Sequence, residues 1–356
     1  MLSLSDPKAF RELDPENMME QIDGLPDQLQ KAWELGNQIP LAEYQPIRQV
    51  LIAGMGGSAI GADLLAAYVE PLASVPLMVQ RDYSLPAWAK GPQTLVIASS
   101  HSGNTEETLS VFEQAQRAGC QVLVVSTGGK LSELARTQQV PLWTFEHEGQ
   151  PRAAVGYSFG LLLALLYRVN LIPDPTPEVE EALEAMLAQQ PNLRADAPLS
   201  KNPAKRLAGQ IVGRWVTVMG AGVLAPVARR WKGQISEVAK AWAQFEFLPE
   251  ADHNTLAGVE QPEDLLSRTT VIFLRAASDH PRNALRSDLT QQGFMVAGMG
   301  TDFYHASGKS RLAHLWTALH FGDYMAYYLA MAYGVDPTAI PSIEDLKRAM
   351  KASPSS

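Results

Sequence analysis

The chain of 356 residues has one cysteine, Cys120, so it can form no internal disulfide and no cysteine-built zinc centre. A reducing compartment suits such a chain. Charge is also sparse, at 19% of residues, and it leans acidic: 38 Asp and Glu against 29 Lys and Arg give a net charge of -9. A general attraction to nucleic acid or to an anionic membrane is excluded as a driving force, and an anionic ligand would need local donors. Long apolar runs are missing as well. The longest, at residues 153–167, is too short to cross a bilayer and contains Gly156, Tyr157 and Ser158, so it is expected to be a buried helix. The opening MLSLSDPKAFRELD has early acidic residues and no basic-then-apolar leader pattern, and the expected location is the cytoplasm. With no HExxH-type pattern and no His/Cys ligand cluster, neither a metal nor another cofactor is expected.

What is present is ample apolar material, 46% of the chain, and a length beyond one ordinary core, so two α/β domains are expected. Residues 1–40 read as an N-terminal helical segment, with Phe10, Leu13, Ile22, Leu25 and Leu29 at helical spacing. Short apolar runs at 49–53, 76–80, 94–98, 121–125 and 141–144 then alternate with helical stretches near 58–68, 104–117 and 130–137. That alternation predicts a parallel, doubly wound sheet. A polar, proline-bearing passage at 172–198, helical in its middle, separates it from a second series. There WVTVMGAGVLAPVARR from Trp215 repeats the strand, glycine turn and helix of VLIAGMGGSAIGADLL from Val50. Further on, TVIFLRAASDHPR echoes TLVIASSHSGNT, and FMVAGMGTD echoes QVLVVSTGG. The reading is α/β: two doubly wound parallel-sheet domains, at 41–172 and 195–335, with extra N- and C-terminal helices. A long apolar helix at 312–333, stopped by Gly334, ends the second domain, and 336–356 form a C-terminal helix and tail.

Two turns carry the chemistry. Gly54-Met55-Gly56-Gly57-Ser58 joins a strand to a helix, so free N–H groups and the positive helix end would face an anion, phosphate first of all. Glycines there also serve plain helix packing. The turn lacks a GKS or GKT ending, which argues against a nucleoside triphosphatase, and its spacing is not the GxGxxG of a dinucleotide fold. The second turn, SSHSGNTEET at 99–108, gathers several hydroxyls at a helix start, where neutral hydrogen bonds can hold a dianion. Capping by Asn104 or Ser102 would use only one of them, so the density of hydroxyls points to a ligand.

GMGGSAIG at 54–61 with S-x-S-G-N-T-E-E-T at 100–108 resembles the SIS (sugar isomerase) domain. With PRAAVGYS (151–158), GQISEVAK (233–240), PEADHN (249–254) and VDPTAIPSIEDLK (335–347), nearly the whole chain is similar to the bifunctional phosphoglucose/phosphomannose isomerases. The resemblance implies reversible aldose-ketose isomerisation of glucose 6-phosphate and fructose 6-phosphate through a cis-enediol, with mannose 6-phosphate as a second aldose. It implies that Ser58, Ser100, Ser102 and Thr105 bind the sugar phosphate, with Gly56 and Gly57 allowing close approach. Glu237 would move a proton between C1 and C2. His253 would help open the ring, reaching in from the partner subunit of a homodimer. Arg152 and Lys347 would lie near the sugar, the arginine stabilising the enediolate. Elementary chemistry agrees: one carboxylate can take a proton alpha to a carbonyl and return it next door, a fixed guanidinium stabilises the charge that develops, and imidazole exchanges protons near neutral pH.

Each residue has a plainer rival. Glu237 could be a surface ion-pair partner of Arg229, Arg230, Lys232 or Lys240, His253 a loop histidine, Arg152 the mate of some acid, and Lys347 an i,i+3 partner of Glu344. His147, His280, His305, His314 and His320 have no recognisable partners. The chain also departs from the family. His101 stands where tyrosine is commoner, Ser236 and Val238 flank the base in place of asparagines, and Ile340 aligns with a threonine thought to help admit the mannose epimer. Phosphoglucose activity is therefore expected ahead of phosphomannose activity. A non-catalytic sugar-phosphate sensor and an isomerase of another phosphosugar stay open as alternatives; the presence of both Glu237 and His253, without a helix-turn-helix or basic appendage, favours the enzyme.

Overall fold

The short apolar runs are strands, and the inner ones are covered on both faces. In the computed structural model, which describes residues 3–352, the first sheet holds β1 (Gln49–Ala53), β2 (Leu77–Gln80), β3 (Thr94–Ser99), β4 (Gln121–Ser126) and β5 (Leu142–Thr144). All pairings are parallel, in the order β2-β1-β3-β4-β5, with Val50 facing Leu77 on one side and Leu95 on the other. The second sheet repeats the plan with one strand fewer: β6 (Trp215–Ala221), β7 (Ala243–Leu248), β8 (Thr269–Arg275) and β9 (Gly300–His305), ordered β7-β6-β8-β9. In each sheet the order reverses beside its first strand, so the loops after β1 and β3, and after β6 and β8, diverge and leave a crevice. The two doubly wound parallel sheets expected from the sequence are thus present.

Three details go beyond or against the sequence reading. The apolar run at 294–296 is not a strand: it ends the helix Pro281–Val296, with Phe294 buried while Met295 and Val296 are 55% and 90% exposed. The true counterpart of β4 is β9, a few residues later. A three-residue apolar run cannot separate helix from strand by period alone, and here one-sided burial decides. The N-terminal segment is three helices, Pro7–Leu13, Met18–Asp23 and Leu25–Gln38, the first capped by Asp6. β7, absent from the sequence reading, is half-exposed along its middle and alternates apolar Phe245 and Phe247 with Gln244 and Glu246.

Five helices join the two sheets into one continuous core: Leu25–Gln38, Gly56–Val69, Val155–Arg168, Ala225–Glu237 and Arg311–Tyr333. The last is buried on all sides from Leu312 to Ala332 and stops at Gly334, whose φ of +69 suits glycine. Among the described residues no helix is long and apolar enough to cross a membrane. Close packing needs small residues: a Cβ on Gly160 would stand 2.7 Å from that of Ala32.

One buried ion pair fixes the helix Ala225–Glu237 to this central helix. Arg230 donates to both carboxylate oxygens of Asp323, at 3.1 and 2.7 Å, and both side chains are 4% exposed. Asp323→Ala leaves a guanidinium charged and unpaired in the core, so it is expected to lower unfolding stability by about 3–5 kcal/mol. Urea denaturation reads this directly, and a loss under about 1 kcal/mol would show that the pair does not hold these helices.

Candidate functional site

The two turns predicted to carry chemistry meet at the carboxyl end of the first sheet. β1 runs into the helix Gly56–Val69, whose first turn has no side-chain cap, so its N–H groups face outward uncapped. Gly56 takes φ +50, and Gly57 lies so close to the Pro151 carbonyl that a Cβ would stand 2.3 Å from its oxygen. The close approach made by Gly57 is therefore to the turn bearing Arg152. Beside it, Ser58 is buried and its hydroxyl accepts the His101 N–H at 3.2 Å, which ties the first turn to the second.

In the second turn, Ser100 is buried, its hydroxyl 2.9 Å from that of Thr105, and it accepts the Gly103 N–H at 3.1 Å. Gly103 has φ +64 and no room for a Cβ, which would lie 1.8 Å from the Gly128 carbonyl oxygen. Ser102 is exposed, and its hydroxyl accepts the Asn104 N–H at 3.3 Å. The helix Glu106–Arg117 has Thr105 at its N-cap with no side-chain capping bond. Neither Asn104 nor Ser102 caps this helix, so the hydroxyls of Ser58, Ser100, Ser102 and Thr105 cluster at an uncapped helix start.

Glu237 reaches these turns from the other domain. Ala225, Pro226 and Arg229 line a cleft with Asp63, Ala66 and Glu70, so the start of Ala225–Glu237 lies against the end of Gly56–Val69 and the helices run antiparallel. Arg229 locks the register through a 2.7 Å bond to Asp63, which also pairs with Arg81. Glu237 lies eight residues past Arg229, about 12 Å along its helix, while Gly56 lies seven before Asp63, about 10 Å along the other. The charge of Glu237 acts on Arg152, whose turn packs against Gly57. Arg229 pairs with Asp63 and Arg230 with Asp323, and no ion pair among the described residues includes Glu237, which is half-buried.

Arg152, 4% exposed, sits between the turns and Glu237. One guanidinium nitrogen donates to the carbonyls of Pro337, at 3.0 Å, and Thr338. Burial lowers its pKa from the ordinary value, and the negative charge of Glu237 is the largest force opposing that. Nε of Arg152 and Oγ1 of Thr338 are buried without a hydrogen-bond partner among the described residues, a sign that a bound group or water completes this spot.

The remaining two candidates are exposed. His253 is exposed in the turn after β7, and β7 starts near the end of the Glu237 helix and crosses the sheet before reaching it. Six strand residues at about 3.3 Å each separate the two by roughly 20 Å. Lys347 is exposed on the helix Pro341–Ala352, none of whose residues is buried, and the pair that forms there joins Asp345 to Arg348 in place of the Glu344–Lys347 pair weighed from the sequence. A single chain thus sets Arg152 beside the first turn and within the field of Glu237, while His253 and Lys347 are exposed.

Comparison with known proteins decides the family. Residues 43–194 match the SIS domain, and residues 200–350 match the bacterial phospho-glucose isomerase C-terminal SIS domain. The chain is 39% identical over 93% of its length to a bifunctional phosphoglucose/phosphomannose isomerase of Caldicellulosiruptor bescii, covering 98% of that protein. It is 33% identical over 87% of its length to the one of Aquifex aeolicus, covering 92% of it. The chain belongs to the bifunctional phosphoglucose/phosphomannose isomerase family. A D-glucosamine-6-phosphate 4-epimerase of Sulfolobus acidocaldarius is also related, 32% identical over 70% of this chain and 79% of its own. Among solved structures, a hypothetical protein from Thermus thermophilus shares the fold at TM-score 0.71 and 17% identity, covering 97% of this chain and 94% of its own.

Within this family member, sequence reasoning missed the strap at 336–338 and Lys240, which donates to the Val238 carbonyl at 3.2 Å and to that of Asp336. The only available signal was the Asp-Pro-Thr turn, in which Asp336 accepts the Thr338 N–H at 2.7 Å. Several histidines left without partners by sequence have them: His147 Nδ1 lies 3.0 Å from His101 Nε2, His280 accepts the Arg282 N–H, His314 meets Ser278, and His320 meets the Ile22 carbonyl.

The His101–His147 pair links the second turn to pH. Burial, reinforced by the charge of His147, pushes His101 down to about 4, and burial also lowers His147. Between about pH 6.5 and about 4 the unfolded chain takes up protons that the folded pair refuses, so stability is full above that window and falls as pH drops through it. His101→Tyr is expected to flatten the fall in melting temperature between pH 7 and pH 5. An unchanged slope would show that the pair does not couple to folding.

Proposed function

We propose that this chain interconverts glucose 6-phosphate and fructose 6-phosphate, with mannose 6-phosphate as a further substrate, by moving a proton between C1 and C2. The observation that carries the reading is the meeting of Glu237 with the hydroxyl turns and Arg152 across two domains. The phosphate is held by Ser58, Ser100, Ser102 and Thr105 and by the uncapped start of the helix Gly56–Val69, which supplies donors without a formal positive charge. The carboxylate of Glu237 takes the proton alpha to the sugar carbonyl and returns it to the neighbouring carbon. Arg152, already fixed by the carbonyls of residues 337 and 338, stabilises the enediolate without reorganising, and its unpartnered Nε faces a need that a sugar oxygen would meet.

Ring opening is assigned to His253 of a second copy. Two observations support a homodimer that delivers it. His253 lies roughly 20 Å of strand from Glu237 in its own chain. The turn holding it is pinned by Asp252, which accepts from Arg286 and Thr290 of the helix Pro281–Val296, and that helix presents Leu285, Leu289 and Val296 at 43%, 57% and 90% exposure. The same assembly would bring Lys347, exposed in the single chain, to a sugar. Cytoplasmic glycolytic or gluconeogenic use follows from this reading.

Glu237→Gln is expected to lower turnover of fructose 6-phosphate by about a thousandfold while the protein still binds it, measured by coupled assay and calorimetry; full turnover would remove Glu237 as the base. Mixing unfolded Glu237→Gln and His253→Ala chains and refolding them together tests the shared site. Random pairing leaves about a quarter of sites with both groups intact, so about a quarter of normal activity should return. No recovery from two folded, inactive parents would place His253 outside the partner's site.

A further inference from the structure

Lys240 is a cation at this centre to which the proton shuttle assigns no task. It stands three residues past Glu237 with φ +53, a left-handed position where glycine or asparagine is usual, so the lysine side chain must supply something glycine would not. Its ammonium donates to the Val238 carbonyl, just beyond the helix end, at 3.2 Å, and to the Asp336 carbonyl. Arg152 holds the next two carbonyls of the same strap, those of Pro337 and Thr338. The Asp336 carboxylate is turned to its own following backbone, accepting from Thr338 and Ala339, and is not an ion-pair partner of Lys240. Two cations, one from each domain, thus converge on three consecutive residues, and the charges of two carboxylates, Asp336 and Glu237, act on both.

We propose that Lys240 is a positioning residue for the isomerase reaction: with Arg152 it clamps residues 336–338 and so fixes the end of the helix that carries Glu237. Misplacing a catalytic carboxylate by about 1 Å is enough to cost up to a hundredfold in rate, whereas sugar-phosphate binding relies on turns in the other domain. The clamp needs the charged amine, because an ammonium is the stronger donor to a carbonyl. Burial, reinforced by the charge of Arg152, lowers Lys240 to about 8, with Asp336 and Glu237 opposing. The clamp is accordingly closed below about pH 8 and weakens above it.

The inference rests on the isomerase reading, and the experiment separates the two. Wild type, Lys240→Met and Lys240→Arg are compared on fructose 6-phosphate from pH 6 to pH 10, with melting temperatures measured alongside. The wild-type kcat is expected to fall as pH rises through about 8. Lys240→Met should lose about tenfold or more in kcat with KM within about twofold of wild type, and its kcat should lack that alkaline fall. Lys240→Arg should recover most of the rate and move the fall to higher pH, since guanidinium keeps its proton. A Lys240→Met kcat within about twofold of wild type, a loss confined to KM, or no rescue by arginine would overturn the proposal. Lys240→Gln carries the same comparison if the methionine variant does not fold. If wild type forms no aldose phosphate, the isomerase reading fails, and the clamp is judged by hydrogen exchange alone: faster exchange at Thr338 and Ala339 in the variant upholds it, and unchanged protection overturns it.

Discussion

The site depends on one pairing of helices. Gly56–Val69 belongs to the first sheet and Ala225–Glu237 to the second, and their contact, locked by the Arg229–Asp63 bond, fixes the helix that ends at Glu237 against the first domain. A slip of one turn would carry the Glu237 carboxylate about 5.4 Å along its axis. The register is over-determined for that reason. Asp63 also holds Arg81, and the opposite face of the Glu237 helix is fixed by the buried Arg230–Asp323 pair and by Trp231, whose indole N–H donates to the Ala318 carbonyl at 2.9 Å.

Duplication of the sheet does not mean duplication of the site. The second sheet keeps the glycine turn after its first strand, with Gly222 at φ +52, but the loop after β8 carries Ala276, Ala277, Ser278 and Asp279 in place of the hydroxyl cluster. Its Asp279 accepts the Ala276 N–H at 2.9 Å, so a carboxylate occupies ground that in the first domain is left to neutral hydroxyls. The first domain carries the uncapped turns and the second carries Glu237 and His253, so the proposed reaction draws on both halves.

The strand and helix alternation was legible because strands buried on both faces leave continuous apolar runs such as Leu95 to Ala98, and the hydroxyl turn because four hydroxyl-bearing residues crowd seven positions. The run at 294–296 misled because three residues carry no period, and β7 escaped because its exposed middle breaks the apolar signal. Lys240 and the 336–338 strap were out of reach for a different reason. Their bonds are to main-chain carbonyls nearly a hundred residues away, and no side-chain pattern records which carbonyl a cation will find. The same limit hid the distance between Glu237 and His253, which only the direction of β7 reveals.

The most direct test of the central claim, that a carboxylate shuttles a proton between adjacent carbons of a hexose phosphate, is conversion of fructose 6-phosphate in deuterated water, with product read by NMR. The account predicts glucose 6-phosphate carrying deuterium at C2 in a measurable share of molecules, since a carboxylate open to solvent exchanges part of its proton before returning it. Aldose phosphate with no deuterium at C2, or no aldose phosphate at all, would contradict it.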